Sequence, residues 1–409
     1  MQTILPQELL ATTSGAEADQ ILRSCVHCGF CNATCPTYRI LGDELDGPRG
    51  RIYLIKQMLE GGSATESTRL HLDRCLTCRA CETTCPSGVR YNRLLEIGRE
   101  RIEEALERPR NERILRKSVV ALLANPVRVR WALRFARYLG GLLPKRLVEA
   151  FPMRREAQTP TDWPAARHER RVLFLEGCVQ AATHQGIDLA AARLLDRLGI
   201  SAIRATGGGC CGAAGHHLGI AGSAHISMKR NIDAWWPHIE GGAEKIVASS
   251  SACSLMLRDY GRLLAGDPEY RDKATRIADM VCELPELLTP LCRPQDPQDS
   301  PREMRRIAFH VPCSLQHGLR RHQAVEALLR QCGFDLVTVD DSYSCCGAAG
   351  TYAIFQPEIS QRLRDERIQA LERDSPSIIA TANIGCLIHL EKQANVPVRH
   401  WVELLVDAL

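Results

Sequence analysis

Cys25-Val-His-Cys28-Gly-Phe-Cys31-Asn-Ala-Thr-Cys35-Pro36 and, fifty residues later, Cys75-Leu-Thr-Cys78-Arg-Ala-Cys81-Glu-Thr-Thr-Cys85-Pro86 are the stretches on which this chain turns. Both follow C-x2-C-x2-C-x3-C-P. Two residues between cysteines let a tight loop wrap one corner of a metal-sulfur cube, with successive backbone N–H groups turned toward the anionic sulfides. Proline after the fourth cysteine lacks an N–H and fixes φ, so the chain leaves without a stranded donor. Zinc also takes paired C-x2-C ligands. It needs only four, however, and gives no reason for a third C-x2 step followed by C-x3-C-P, twice over.

In runs of this spacing three thiolates hold one cluster and the fourth ligates the other. The expected assignment is therefore crossed, as in bacterial ferredoxins, which these runs resemble. Cys25, Cys28, Cys31 and Cys85 would hold one [4Fe-4S] cluster; Cys75, Cys78, Cys81 and Cys35 would hold the second. Between the runs, Pro48 to Gly61 reads as a helix, with Pro48 at its first position, Ile52, Ile55 and Leu59 on one face, and Gly61 as the stop. A second helix is expected from about Tyr91 to Leu106. Both points resemble the α-helical ferredoxin domain of succinate dehydrogenase and fumarate reductase iron-sulfur subunits.

The chain has 409 residues and 19 cysteines, too long for one small core. Cysteines in metal-ligand patterns that must stay reduced imply a cytosolic compartment, and the N-terminus shows no basic and apolar leader pattern. No segment reads as a membrane span: the longest stretch free of Asp, Glu, Lys and Arg, Ala205 to Met228, holds seven glycines and three histidines. The formal net charge is +4, yet Arg108 to Arg155 alone carries thirteen Lys or Arg against Glu112 and Glu149, so the remainder is acidic. That connector, 106–168, reads as helical at Ile114 to Ala124 and Val129 to Leu143, with arginines interleaved among Trp131, Phe135 and Tyr138. Such a stretch suits peripheral contact with an anionic bilayer, cover for the acidic side of a partner, or packing on the next domain. Nucleic acid is not an expected partner, because no recognition motif is present.

From Arg170 the chain repeats itself. Arg171-Val-Leu-Phe-Leu175 then Cys178 corresponds to Arg306-Ile-Ala-Phe-His310 then Cys313. Cys210-Cys211-Gly212 corresponds to Cys345-Cys346-Gly347, and the interval from first cysteine to pair is thirty-two residues in both halves. Ile246 to Cys253 is matched to Ile378 to Cys386. Such self-similarity signals duplication. Each copy alternates strand and helix: helices at Ile187 to Leu198 and Gln323 to Gln331, strands at Ala202 to Arg204 and Leu336 to Val339. Parallel α/β sheets follow, with chemistry at the carboxyl ends of the strands, where Cys178, Cys253, Cys313 and Cys386 fall.

The fold class is thus α+β multidomain: an α-helical ferredoxin domain at 1–105, the connector at 106–168, and repeated α/β domains at 169–295 and 303–409. Cys178, Cys210, Cys211 and Cys253 are the candidate metal ligands of one repeat, and Cys313, Cys345, Cys346 and Cys386 those of the other. They supply either further iron-sulfur clusters or reactive thiols and a redox-labile metal site. This CCG pattern resembles the catalytic subunit of heterodisulfide reductase, except that the family's closing C-x2-C is absent: Met256 and His389 stand at its last position. His389 is either a ligand or a hydrogen-bonding core residue. Cys282, Cys292 and Cys332 read as small buried hydrophobes.

Two ferredoxin runs followed by two CCG repeats resemble the family of bacterial glycolate oxidase iron-sulfur subunits. Carrying that resemblance are Cys28-Gly-Phe-Cys31, Gly42 to Tyr53, Asn231-Ile-Asp-Ala-Trp-Trp236, Thr381 to Cys386 and Arg399-His-Trp401. It implies an electron-transfer subunit with no catalytic residue of its own, bound to FAD-binding subunits that oxidise glycolate to glyoxylate and delivering electrons to a membrane quinone from the inner face of the cell membrane. No dinucleotide fingerprint occurs here, so FAD is expected on the partners. The competing readings are a CCG reductase acting on a disulfide or quinone, a cluster-based redox sensor, and a subunit serving another 2-hydroxy acid or glycerol-3-phosphate.

Overall fold

A computed structural model describes residues 1–138, 162–291 and 306–408, with side chains left aside at 136–138 and 291. The chain divides into two compact units, Met1–Ile114 with Tyr343–Arg364, and Leu115–Ser342 with Asp365–Leu409.

Among the described residues the first unit contains helices and no strand. Pro48 opens the helix Pro48–Leu59, which buries Ile52, Ile55 and Leu59 as their spacing requires. Tyr91–Ala105 buries Leu94, Leu95 and Ile102. These two helices meet at Gly98, where a Cβ would come within 2.7 Å of the Ile55 side chain. Ile21, Leu22, Ile55, Leu72 and Leu94 form a core at most 2% exposed. Full burial of each such side chain contributes about 1.5–3 kcal/mol.

The second unit carries two parallel sheets. Strands β1 (Arg170–Leu175), β2 (Ile200–Ile203) and β3 (Lys245–Ala248) run in the order β2-β1-β3; β4 (Arg306–His310), β5 (Asp335–Leu336), β6 (Ile378–Thr381) and β7 (Val398–His400) run in the order β5-β4-β6-β7. Where the second sheet pairs Ile379 with Val398, the first has a single parallel bridge between Ile246 and Val281. The two sheets are therefore one plan used twice.

Their ladders correct the expected alignment by one residue. Val172 pairs with Lys245 and Ile307 with Ile378, so Lys245 and not Ile246 corresponds to Ile378. In that register Cys253 and Cys386 stand equally far along, without a gap. The strand expected at Leu336 to Val339 is confined to Asp335–Leu336.

One apolar core spans both repeats, joining Phe174 and Leu195 to Phe309, Leu329 and Trp401. A polar seam closes it. Ser251 N–H donates to the Ala382 carbonyl at 3.1 Å, the Ser251 and Ser314 hydroxyls are 2.8 Å apart, and His400 Nε2 reaches the Ser249 carbonyl at 3.0 Å. Burial pushes the His400 imidazolium down to about 3, so this ring is a neutral donor.

Basic helices occupy Arg110–Leu123 and Pro126–Tyr138; positions 139–143 of the expected second helix lie outside the described residues. Pro126–Tyr138 packs against the short helix Val179–Thr183 and buries Val129 and Leu133. Val127, Trp131 and Phe135, each four residues apart, are exposed on it together with Arg128, Arg130 and Arg134. Among the described residues no helix is long and apolar enough to cross a membrane.

Candidate metal centres

The first unit holds two cavities among its cysteine loops. One is lined by Cys25, Cys28, Cys31 and Cys85, with Cys81 also on its wall. The other is lined by Cys35, Cys75, Cys78 and Cys81. The first cavity thus gathers three cysteines of the first run with Cys81 and Cys85 of the second, and the second cavity three cysteines of the second run with Cys35 of the first.

Local backbone geometry builds these walls. His27 and Gly29 flank Cys28 at φ 60° and 86°, and Thr77 and Arg79 flank Cys78 at φ 54° and 64°. Left-handed residues on either side of a cysteine turn the intervening N–H groups inward as a nest. Three of the four are not glycine, and strain of that kind persists where the surroundings over-determine it. The short helices Phe30–Ala33 and Ala80–Thr84 follow, and the Thr34 and Thr84 hydroxyls meet at 3.1 Å.

The thiols are poised for a shared cation. Burial, then neighbouring Cys25, pushes Cys31 up to about 11, and burial raises Cys81 well above the ordinary thiol range. Thiols so placed resist ionising one at a time, whereas a polycationic iron core lets the set ionise together. The donor set fits an iron-sulfur cluster on that ground.

Beneath the second cavity lies a buried charge cluster. Arg51 Nε donates to the His71 carbonyl at 2.7 Å, and its Nη2 reaches Thr37 Oγ1 at 3.1 Å and Asp46 at 3.4 Å. Asp46 also receives Arg74 at 2.8 Å and lies 3.0 Å from His71 Nδ1. Burial alone would lower the Arg51 pKa, but Cys75, Tyr91, Cys35 and Asp46 together raise it, so a fixed guanidinium stands beside two of the cysteines. Tyr91 Oη points to Cys75 Sγ at 3.6 Å.

In the second unit Cys178, Cys210, Cys211 and Cys253 are brought together at the carboxyl ends of β1, β2 and β3. Their sulfurs form a chain in which Cys178 and Cys211 both hydrogen-bond Cys210, and Cys253 bonds Cys211. Those bonds, with Gly212 N–H at 3.4 Å, lower the Cys210 pKa and raise those of its neighbours. The loop is pinned from behind. Asn231 Oδ1 accepts from Gly209 N–H at 2.9 Å, its Nδ2 donates to the Cys210 carbonyl at 3.0 Å, and Tyr260 Oη donates to the Cys211 carbonyl at 2.9 Å. Met256 lies in the apolar core with Tyr260 and Cys211.

The second repeat's cysteines are divided, Cys345 and Cys346 in the first unit and Cys313 and Cys386 in the second. Gly347 N–H points to Cys345 Sγ at 3.4 Å, the counterpart of Gly212 and Cys210. Within the second unit, a ring nitrogen of His310 lies within 4.8 Å of Cys386 Sγ. Arg367 Nε donates to His310 Nδ1 at 3.2 Å, and burial, then that cation, lowers the His310 pKa well below the ordinary range. His389 is buried. So are Cys282 and Cys332, both within the apolar core as expected of small buried hydrophobes, Cys332 being disulfide-bonded; Cys292 lies outside the described residues.

Comparison with known proteins agrees with this layout. Residues 21–89 match the model of a 4Fe-4S dicluster domain, and 172–258 and 307–391 each match that of a cysteine-rich domain. The chain is 47% identical over its whole length to the glycolate oxidase iron-sulfur subunit of Escherichia coli (strain K12), covering 99% of that protein. It belongs to the glycolate oxidase iron-sulfur subunit family. A probable member from Bacillus subtilis (strain 168) is 28% identical over 95% of this chain and 94% of its own. Lactate utilization protein A of the same organism matches 58% of this chain at 26% identity and 98% of its own length. A hypothetical protein from Helicobacter pylori shares the fold, with a TM-score of 0.57 at 10% identity, over 98% of this chain and 74% of that one.

Membership in the glycolate oxidase iron-sulfur subunit family makes this chain part of an oxidoreductase. Two groups of residues at its centres escape a reading of motifs: Asn231 with Tyr260, and His310 with Arg367. Each acts through a partner distant in sequence. Asn231 stood inside a quoted family stretch, which was the one signal available for it.

Proposed function

We propose that the chain is the electron-transfer subunit of a membrane-associated complex that oxidises glycolate to glyoxylate. The substrate is oxidised on FAD-binding partner subunits, and a membrane quinone is the acceptor. The observation that carries this is the full-length identity to a glycolate oxidase iron-sulfur subunit, joined to two cysteine-lined cavities in one unit.

Cys25, Cys28, Cys31 and Cys85 would hold one [4Fe-4S] cluster, and Cys75, Cys78, Cys81 and Cys35 the other. Cys178, Cys210, Cys211 and Cys253, and likewise Cys313, Cys345, Cys346 and Cys386, would each hold a further centre. The domain limits at 105, 168, 295 and 303 belong to the same proposal. Bound clusters supply reversible one-electron storage. The chain's own part is to fix the thiolates, to place Arg51 and inward N–H groups beside them, and to shield them from water. Val127, Trp131 and Phe135, with the arginines around them, provide the surface that would rest on the inner face of the membrane.

Anaerobic co-purification with the flavoprotein partners tests this. Glycolate-dependent dye reduction should require both the chain and a flavin subunit, and iron should exceed what two clusters contain. Turnover of a disulfide by the chain alone, or zinc in place of iron, would remove the proposal.

A further inference from the structure

The two cysteine-rich repeats are copies in sequence and in strand order, yet they differ at the end of the central strand. Leu175 closes β1 and His310 closes β4 at the same register position, opposite Ala248 and Thr381. His310 is 1% exposed and its Nε2 has no hydrogen-bond partner among the described residues. A buried imidazole N–H without a partner is destabilising, so the residue requires an acceptor or a reason to be there.

Arg367 restricts what the ring can do. Its Nε–H occupies Nδ1, and its Nη1 donates to the Asp340 and Asp341 carbonyls at 3.1 and 3.0 Å, which locks the guanidinium in place. An Nδ1 that accepts a hydrogen bond carries a lone pair, so the neutral ring holds its proton on Nε2. Ligation of a metal through Nε2 would require the proton to sit on Nδ1, against the Arg367 N–H. The geometry therefore disfavours a histidine ligand and favours a donor.

The first repeat has no such pair. Gly212 packs on Ala224 and Ser227 of the following helix, and Gly347 on Ser360 and Leu363. Four residues past Ser227 and Leu363 stand Asn231 and Arg367 respectively. Asn231 holds the cysteine loop, while Arg367 orients His310.

Building on the cluster reading above, we infer that His310 Nε2–H is a hydrogen-bond donor to the sulfur ligands of the second repeat's centre at Cys386, giving that centre a higher reduction potential than its twin in the first repeat. Donors to cluster sulfurs stabilise the reduced, more negative state. Arg367 is the positioning residue.

EPR-monitored redox titration of the anaerobically purified full chain tests this, with the second-repeat signal defined as the one lost in Cys386→Ser. His310→Leu, which copies the first repeat, should move that signal's midpoint to lower potential without loss of iron, and His310→Gln, which keeps an N–H donor, should restore much of the shift. An unshifted midpoint in His310→Leu would overturn the inference while leaving the clusters standing. Loss of one centre's iron in His310→Leu, with recovery in His310→Cys, would overturn it in favour of ligation. Iron equal to two clusters only, unchanged in Cys386→Ser, would remove the second-repeat centre itself and the inference with it.

Discussion

Tyr352 Oη donates to the carbonyl of Arg74 at 3.0 Å, across 278 residues of chain. Arg74 immediately precedes Cys75, and Tyr352 follows the Cys345-Cys346 pair by six residues. Arg39 adds a second tie, from its Nη1 to Ser344 Oγ at 3.2 Å. Inside the first unit, the loop of the last CCG pair is thus fastened to the second ferredoxin-type run. Tyr352→Phe removes the donor and strands a carbonyl, a loss of about 1 kcal/mol. The midpoint of chemical denaturation should fall slightly with iron content unchanged; an unchanged midpoint would show that the contact contributes nothing.

Arg51 is a harsher case, because Asp46, Thr37 and the His71 carbonyl all rely on it. Removing one partner of a buried ion pair costs about 3–5 kcal/mol. Arg51→Met should lower soluble yield and melting temperature sharply, whereas Arg23→Met, which breaks a largely exposed pair with Asp19, should cost less than about 1 kcal/mol of stability and leave both nearly unchanged. Equal effects from the two substitutions would contradict the buried network.

Asn231→Ala should loosen the first CCG loop, since Gly209 N–H and the Cys210 carbonyl both lose their partner. Each stranded group costs about 1–3 kcal/mol. Iron lost from this variant should come from the second unit, leaving the signals of the N-terminal pair intact. Uniform loss from all centres would mean that Asn231 supports the fold at large.

These cases show what could be read ahead of the structure. The cysteine runs were legible because a cluster imposes its spacing locally, within twelve residues, and the duplication was legible because Cys178 to Cys210 repeats as Cys313 to Cys345. The Pro48 helix declared itself through its cap and its apolar face. What escaped was set by distant partners. Nothing near Ile246 revealed that Lys245 is the residue paired with Val172, since ladder register depends on the strand opposite. His310 and Arg367 lie 57 residues apart and meet only through the fold.

A pH dependence follows from Asp188, buried against Ser249 and Gln180. Burial pushes its carboxyl up to about 8, against the opposing pull of those two hydrogen bonds. Unfolded, it titrates at about 3.9. Between these values the folded chain holds a proton that the unfolded chain has released, so this contribution is full below about pH 4 and is lost as the pH rises to about 8. Asp188→Asn should flatten that decline, and melting curves taken at about pH 5 and about pH 8 would reveal it. Parallel declines in parent and variant would assign the slope to other groups.

Trp131 and Phe135 offer a test of membrane contact. Co-sedimentation with vesicles containing anionic lipid should weaken by at least about tenfold in the Trp131→Ser/Phe135→Ser double variant, and should fall with added salt as the arginines are screened. Binding that is unaffected by the double variant would place the contact elsewhere or dismiss it.

The segment Tyr343–Arg364 belongs by its contacts to a unit that otherwise ends at Ile114. A ribosome making this polypeptide finishes both N-terminal cysteine runs early, but the piece that completes their surroundings emerges only near the end of translation. The walls of both cavities, built from residues between Cys25 and Asn92, are therefore finished before that piece arrives, and a gene split after the first hundred codons would yield a fragment lacking the fastening of Tyr352 to Arg74.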